Sequence, residues 1–383
     1  MSENMVISII FYILIALLTI VLASNIRGNF CGIAQEKEWI VPTRGRGTRR
    51  SFCNRLYLQF IFGILFLCSA LRFDIGNDYR QYTQTAHEAF VGGYVVTEVG
   101  FNWLVKIIYT VFGGEYYEIV FAVFAFVTLI FFLKAFYEQS VDFSFSYFLF
   151  MMFGLYFQTY NTVRYYLALA IVLYAMRYVF QKDWIKFVFW ILLASLFHKS
   201  VLLTIPVYWI ASFAWKRWMI IAGIAVSAGC FLARGIVLEI ALLLYPSYKN
   251  TIYLNGEPSY SGMIRGLLVL LLYCWYRKRY DDKDKELLFY AQLNALSVIV
   301  GVFFWFLPVV TRIAYYFSIV QLFMIPKIVC GIKEEKLRAG VKLVVCVACV
   351  IYFVMFLLKA NEPGVKLLPY QSWLFEIERY TYK

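Results

Sequence analysis

The feature that most constrains this sequence is a series of uninterrupted apolar runs, beginning with Met5–Ser24. Several approach the roughly 20 residues that a helix needs to cross a bilayer core. In hydrocarbon every backbone N–H and C=O must be bonded within its own segment or a closed barrel, so runs of this kind fold as helices. Composition agrees: the 383 residues are 62% hydrophobic and only 15% charged, whereas soluble domains are nearer half apolar and a quarter charged. Disorder, fibrous repeats and secreted disulfide scaffolds are excluded on the same grounds. The formal net charge of +13 would suit nucleic acid, but much of it sits in short clusters between apolar runs. These include Arg44–Arg55, Lys216–Arg217, Arg277–Arg279 and Lys333–Arg338. That is the pattern of cytoplasmic loops, so the basicity is topological and no nucleic-acid partner is expected.

Met5–Ser24 lacks the basic lead and small-residue cleavage site of a signal peptide, and reads as the first span. With the basic stretch Arg27–Arg55 inside, the N-terminus lies outside. The length criterion then gives about twelve spans. They fall near 5–24, 56–71, 116–136, 143–158, 163–180, 184–197, 199–213, 218–233, 263–276, 286–307, 312–330 and 341–358. The expected fold is an all-α, polytopic transmembrane helical bundle forming a single integral membrane domain over 1–383. Large extracytoplasmic segments are expected at 72–99, followed by a re-entrant or interfacial helix at 100–113, at 234–262, and in a C-terminal tail at 359–383. No cysteine falls in a long outer loop, so no disulfide is expected, and no spacing suggests a metal site.

Chemistry is sought where polar groups occupy costly places. The richest stretch, Leu71–Gly100, brings Arg72, Asp74, Asn77, Asp78, Tyr79, Arg80, Tyr82, His87 and Glu98 into one outer loop, with Gly76 marking a tight turn. Arg80 and His87 read as solvated groups with local ion pairs. Arg72 ends an apolar span on the outer side, where positive-inside statistics would avoid it. Arg164 opens another span within Tyr160-Asn161-Thr162-Val163-Arg164-Tyr165-Tyr166, where Asn161 or Thr162 can cap the helix. Arg265 stands near the start of 263–276, and Arg312 opens 312–330 ahead of Tyr315 and Tyr316. One snorkelling arginine is ordinary, but four at one membrane face and similar depth point to an anion. A diphosphate at headgroup level fits, because guanidinium forks match phosphate oxygens bidentately. His198, one of only two histidines, sits at a break between apolar runs and is a natural proton acceptor. Tyr79, Tyr82, Trp103, Tyr245, Tyr248, Tyr253 and Tyr260 load the outer segments with aromatic groups, and interfacial anchoring is the preferred reading for most of them.

At these residues the chain resembles a family. Arg72-Phe73-Asp74-Ile75-Gly76-Asn77-Asp78-Tyr79 with Tyr82 and Glu98-Val99-Gly100-Phe101 is similar to the RxxxGxDYxxY…EPGF pattern of the EpsG-like, Wzy-type polysaccharide polymerases. Arg164, the FHxS-like Phe197-His198-Lys199-Ser200 and Thr311-Arg312-Ile313-Ala314-Tyr315-Tyr316 follow in matching order. Val99 stands where the family pattern has proline. The resemblance implies a GT-C-like glycosyltransferase of the bacterial cytoplasmic membrane. It would join undecaprenyl-diphosphate-linked oligosaccharide repeat units on the outer face, alongside membrane lipids and a chain-length regulator as partner. On this reading Arg72, Arg164, Arg265 and Arg312 bind the diphosphate. Asp78 and His198 are rival bases for the acceptor hydroxyl, and Asn77, Tyr79, Tyr82, Glu98, Tyr315 and Tyr316 contact substrate. Asp74 and Asp78 form DxxxD and not DxD, so neither a metal nor another cofactor is expected. The main alternative is a transporter or flippase of lipid-linked oligosaccharide or another anionic solute. A transporter would place ionisable groups near the midplane, whereas these gather at one face.

Overall fold

The computed structural model describes residues 3–26, 49–93, 95, 97–244, 258–308, 310–362 and 364–375. Most of the basic stretch before Arg49, the aromatic residues Tyr245, Tyr248 and Tyr253, and the last eight residues of the predicted tail lie outside them. The described residues form helices and no named strand. In chain order these are α1 (Glu3–Ser24), α2 (Arg49–Ala70), α3 (Tyr79–Val91), α4 (Val99–Phe112), α5 (Tyr117–Gln139) and α6 (Phe143–Met152). Next come α7 (Leu155–Gln158), α8 (Val163–Phe180), α9 (Trp184–Ser195), a 3-10 turn at Lys199–Leu203, α10 (Thr204–Ala211), α11 (Arg217–Leu232) and α12 (Arg234–Leu244). The chain ends with α13 (Tyr260–Tyr280), α14 (Lys285–Phe303), α15 (Val310–Ser318), α16 (Gln321–Gly331) and α17 (Glu335–Leu358).

Seven helical segments among the described residues are long and apolar enough to cross a membrane: α1, α2, α5, α8, α14, α15 with α16, and α17. An eighth arises if α11 and α12, bent by 85° at their junction, count as one broken span. The chain is therefore a multi-pass, all-helical membrane protein. The difference from about twelve expected spans has a local cause. Segment 143–158 divides into α6 and the short α7, with Gly154 in a left-handed conformation at the break. Segments 184–197 and 199–213 form α9, of 12 residues, and a 3-10 turn running into α10, of 8. Hydropathy runs on through such breaks, so apolar length alone does not separate a continuous span from a broken one.

The chain forms two compact units: residues 1–174, 192–199 and 329–383, and residues 175–191 and 200–328. In the first, α2 packs on α1 and α5, α6 on α1 and α17, and α3 on α4. Its most buried helical stretch is the part of α8 from Tyr165 to Tyr174, whereas α1 and α17 leave most of their apolar side chains exposed. A helix surrounded by protein can carry an arginine in its first turn without presenting it to lipid. In the second unit α14 is central, flanked by α10, α11, α13 and α15. The predicted outer loop 72–99 contains α3, and α4 forms where a helix was expected at 100–113. Cys330 is disulfide-bonded, contrary to the expectation for cysteine, while Cys53, Cys68, Cys230, Cys274, Cys346 and Cys349 are free.

Candidate functional site

In the first unit, two motifs more than eighty residues apart dock on each other. Gly76 has φ +101° and lies so close to the Tyr160 carbonyl that a Cβ would sit 2.3 Å from its oxygen. Only glycine meets both conditions. The turn it makes lets the Asn77 N–H donate to Asn161 Oδ1 at 2.9 Å and the Thr162 hydroxyl donate to Asp78 Oδ2 at 3.1 Å. The other side of the loop is held by the C-terminal segment. The Gly76 N–H donates to the Lys366 carbonyl, the Phe73 N–H to that of Gln371, and the Trp373 indole to that of Ala70. Asp74 pairs with Arg80 at 2.7 Å and Lys366 at 2.8 Å. Burial works against its charge, but these two cations outweigh it and hold the carboxyl below its ordinary range.

Because Asn161 and Thr162 directly precede α8, this docking fixes the helix start that carries Arg164. The Arg164 guanidinium lies over the rings of Tyr82, 5.3 Å away, and Phe101, 5.5 Å away, and it forms an ion pair with Glu98. Glu98 is the hub. Its Oε2 takes Arg164, while Oε1 accepts the Lys199 backbone N–H at 3.2 Å and engages His198 Nδ1 at 3.3 Å. Burial opposes a charge on Glu98, but the His198 hydrogen bond, the Arg164 charge and the Lys199 N–H overcome it and bring its pKa down to about 2. Glu98 is thus a carboxylate at any physiological pH, and its partner nitrogen Nδ1 carries the proton. The basic lone pair of a neutral His198 is then on Nε2.

The Glu98-Val99-Gly100-Phe101 stretch supplies the rest of this geometry. The Gly100 N–H donates to the Leu196 carbonyl at 2.8 Å, and a Cβ on Gly100 would stand 2.7 Å from that oxygen. The close approach brings the start of α4 against the chain just before His198. Val99 is the first residue of α4, a position that favours proline because its N–H is unused and its φ is helical. The turn forms with valine in that place.

The expected site residues therefore divide. Arg164, Glu98, His198 and Tyr82 come together, with Asn77 and Asp78 as the clasp beside them. Glu98, expected to touch substrate, serves as the acceptor that joins Arg164 to His198. Asp78, expected as a possible base, ties the loop to Thr162. Tyr79 is 1% exposed and stacks on Phe121, so its ring is packing and is not offered to a sugar. Arg72 is 2% exposed, with its guanidinium over Phe121 and Tyr160. The pocket beside it is small, with room for a single guest of about one water or slightly more.

A match to the EpsG family covers residues 55–372, most of the chain. The chain belongs to the EpsG family. No curated protein and no solved structure gives a significant match. Membership fits a membrane-embedded polysaccharide polymerase, and the family match reaches the C-terminal segment that clasps the Arg72–Asp78 loop.

The second unit of this EpsG-family chain holds Arg265 on α13 and Arg312 on α15, both half-buried. Tyr315 is half-buried, whereas Tyr316 is fully buried, its hydroxyl 3.2 Å from Ser200 Oγ and its carbonyl accepting from the Tyr208 hydroxyl at 2.7 Å. The sequence reading missed a buried amide relay here. Gln321 donates to Asn294 Oδ1 at 2.7 Å, and Asn294 donates to the Gly266 carbonyl at 2.9 Å, one residue from Arg265. Amides inside apolar spans were the available signal. Among the described residues no group of three or more His, Cys, Asp or Glu side chains forms a metal-binding array.

Proposed function

We propose that this protein extends a polysaccharide by transferring a growing glycan from its undecaprenyl diphosphate carrier to the sugar end of a new lipid-linked repeat unit. The reaction would occur on the outer face of the bacterial cytoplasmic membrane. The observation that carries this reading is the Arg164–Glu98–His198 cluster, assembled from three separated family motifs. In the proposed step the acceptor hydroxyl oxygen attacks the anomeric carbon of the donor. The bond from that carbon to the diphosphate oxygen breaks, and the hydroxyl proton passes to His198 Nε2. Glu98 holds the imidazole through Nδ1 and stabilises the imidazolium, as a carboxylate does in other acid–base pairs. Arg164 neutralises charge gathering on the leaving diphosphate, and Arg265 and Arg312 are each proposed as further diphosphate ligands. Preorganised guanidinium donors fit this role because they need no reorganisation as charge develops.

The test is to incubate purified protein with lipid-linked repeat units and resolve the products on a gel. Wild-type protein makes a polymer ladder. Arg164→Ala and Arg312→Ala lose it while retaining a cooperative unfolding transition, and His198→Ala slows it by about 10²–10⁴-fold. Undiminished ladders from both arginine variants would refute the assignment. Movement of intact lipid-linked units across vesicles, with no ladder, would favour a flippase.

A further inference from the structure

Arg72 is the most costly residue in the first unit, and its surroundings do not account for its charge. It is 2% exposed, yet only Nη1 is hydrogen-bonded, to the Ser69 carbonyl at 2.5 Å and the Ser69 hydroxyl at 3.0 Å. Nε and Nη2 are buried with no hydrogen-bond partner among the described residues. The faces of Phe121 and Tyr160, each 5.0 Å from the guanidinium carbon, offset part of the desolvation. Neither ring accepts the unused N–H groups in the way a counter-charge would. A buried cation with no compensating anion is among the least favourable arrangements in a protein interior.

Beside this guanidinium is a small pocket lined by Ser69, Arg72, Phe124, Ala125, Thr128, Thr159 and Val163. The unspent donors at its wall are Nε and Nη2 of Arg72 and the Ser69 hydroxyl. Ser69 Oγ accepts from Arg72 Nη1 and so keeps its own proton to give. Thr159 is committed to the Tyr156 carbonyl at 2.6 Å, while Thr128 adds a further hydroxyl to the wall. Val163 is the first residue of α8, whose N-terminus carries the partial positive charge of an 18-residue helix. No carboxylate lines the pocket, and its free space is small enough to restrict a guest to a single small species.

We infer that this pocket is a structural site for a small monovalent anion of the chloride class, held by Nε and Nη2 of Arg72 and the Ser69 hydroxyl. The anion supplies the counter-charge that lets an arginine stand at the buried base of the loop carrying Asn77 and Asp78. This site is independent of the proposed polymerase chemistry, because its guest is too small to be a diphosphate and neither reacts nor leaves.

The experiment compares thermal unfolding of the full-length protein in detergent, in sodium chloride, sodium bromide and sodium gluconate at equal ionic strength. Chloride and bromide are expected to raise the unfolding temperature by about 2–4 °C over gluconate. Arg72→Met removes the difference, and Ser69→Ala, which keeps the guanidinium, reduces it. Because Arg72→Met could fail to fold, wild-type crystals grown in bromide provide a second readout, an anomalous peak within hydrogen-bonding distance of Nε and Nη2. Equal unfolding temperatures in all three salts would overturn the site, as would bromide crystals without that peak. So would protection by inorganic pyrophosphate but not by halide, which would return Arg72 to the substrate.

Discussion

In the first unit the cationic group and its partners come from loops and helix ends. Arg164 lies in the first turn of α8, Glu98 immediately precedes α4 and His198 follows α9, and backbone contacts such as Gly76 on Tyr160 and Gly100 on Leu196 hold these segments. In the second unit Arg265 lies in the second turn of α13 and Arg312 in the first turn of α15, and the fixed polar groups beside Arg265 are amides bonded from helix to helix, Gln321 to Asn294 to the Gly266 carbonyl. The difference lies in what sets geometry. Loops positioned by close backbone approach need glycine and Asx turns at particular places, so they leave a pattern in sequence. Helix faces positioned by side-chain packing need only apolar residues of suitable size, which leave almost none.

The sharpest way to break this comparison is Glu98→Gln. The amide keeps the shape but removes the charge that faces Arg164 and orients His198. Polymer formation is expected to fall by about 10²–10⁴-fold, measured as the initial rate of ladder growth. Arg265→Ala, which removes one charge-assisted contact from the second unit, should cost only about 10-fold. Equal losses would mean that Arg265 is as critical as Glu98. The same variant has a signature in acid. The folded pKa of Glu98, about 2, lies below its unfolded value, so its contribution to stability is present above roughly pH 4.3 and lost as pH falls toward 2. Glu98→Gln should therefore flatten the wild-type loss of stability across that window, as followed by thermal unfolding from pH 5 downward. An unchanged acid slope would show that Glu98 is not held as its contacts imply.

A middle-sized effect comes from the glycines. Gly100→Ala puts a Cβ 2.7 Å from the Leu196 carbonyl oxygen, and backbone on both sides must move to admit it. The expected cost is about 1–3 kcal/mol, with slower polymerisation because Glu98 is two residues away. Gly63→Ala, in the middle of α2 with nothing within 4 Å of its added methyl, should be neutral or stabilising by up to about 1 kcal/mol. Chemical or thermal unfolding of the two variants measures the contrast. If they behave alike, close backbone approach is not what holds the first unit's site together.

The sequence carried the first unit's site better than it carried the fold around it. Arg164, Glu98 and His198 were legible as candidates because arginine, carboxylate and histidine are rare next to apolar spans. Their joining through Glu98 was not, since no sequence spacing relates positions 98, 164 and 198. Gly76 was readable as a turn, but its contact with Tyr160 is a property of the folded chain alone. The strap from Lys366 to Trp373 escaped notice because its bonds are made largely by backbone carbonyls, which every sequence has. Burial misled in the opposite direction. Arg72 and Tyr79 belong to the same motif as Asp78, yet motif membership does not say which side of the chain faces the core.

The smallest effect is expected from Arg80→Ala, and it tests which face of the Arg72–Tyr82 loop matters. Arg80 is the motif's most conspicuous ion-pairing cation, but its side chain is 65% exposed and pairs with Asp74, whereas the clasp on Asn161 and Thr162 is made by Asn77 and Asp78. Exposed pairs of this kind contribute about 0–1 kcal/mol, and Asp74 keeps Lys366 at 2.8 Å when Arg80 is gone. The unfolding temperature should move by no more than a degree or two, and the rate of ladder growth should stay within about twofold of wild type. A large loss of polymer with unchanged stability would place the substrate on the loop's solvent side. The docked face that assembles Arg164, Glu98 and His198 would then be scaffolding, and the contrast between the two units would have to be redrawn around Asp74 and Arg80.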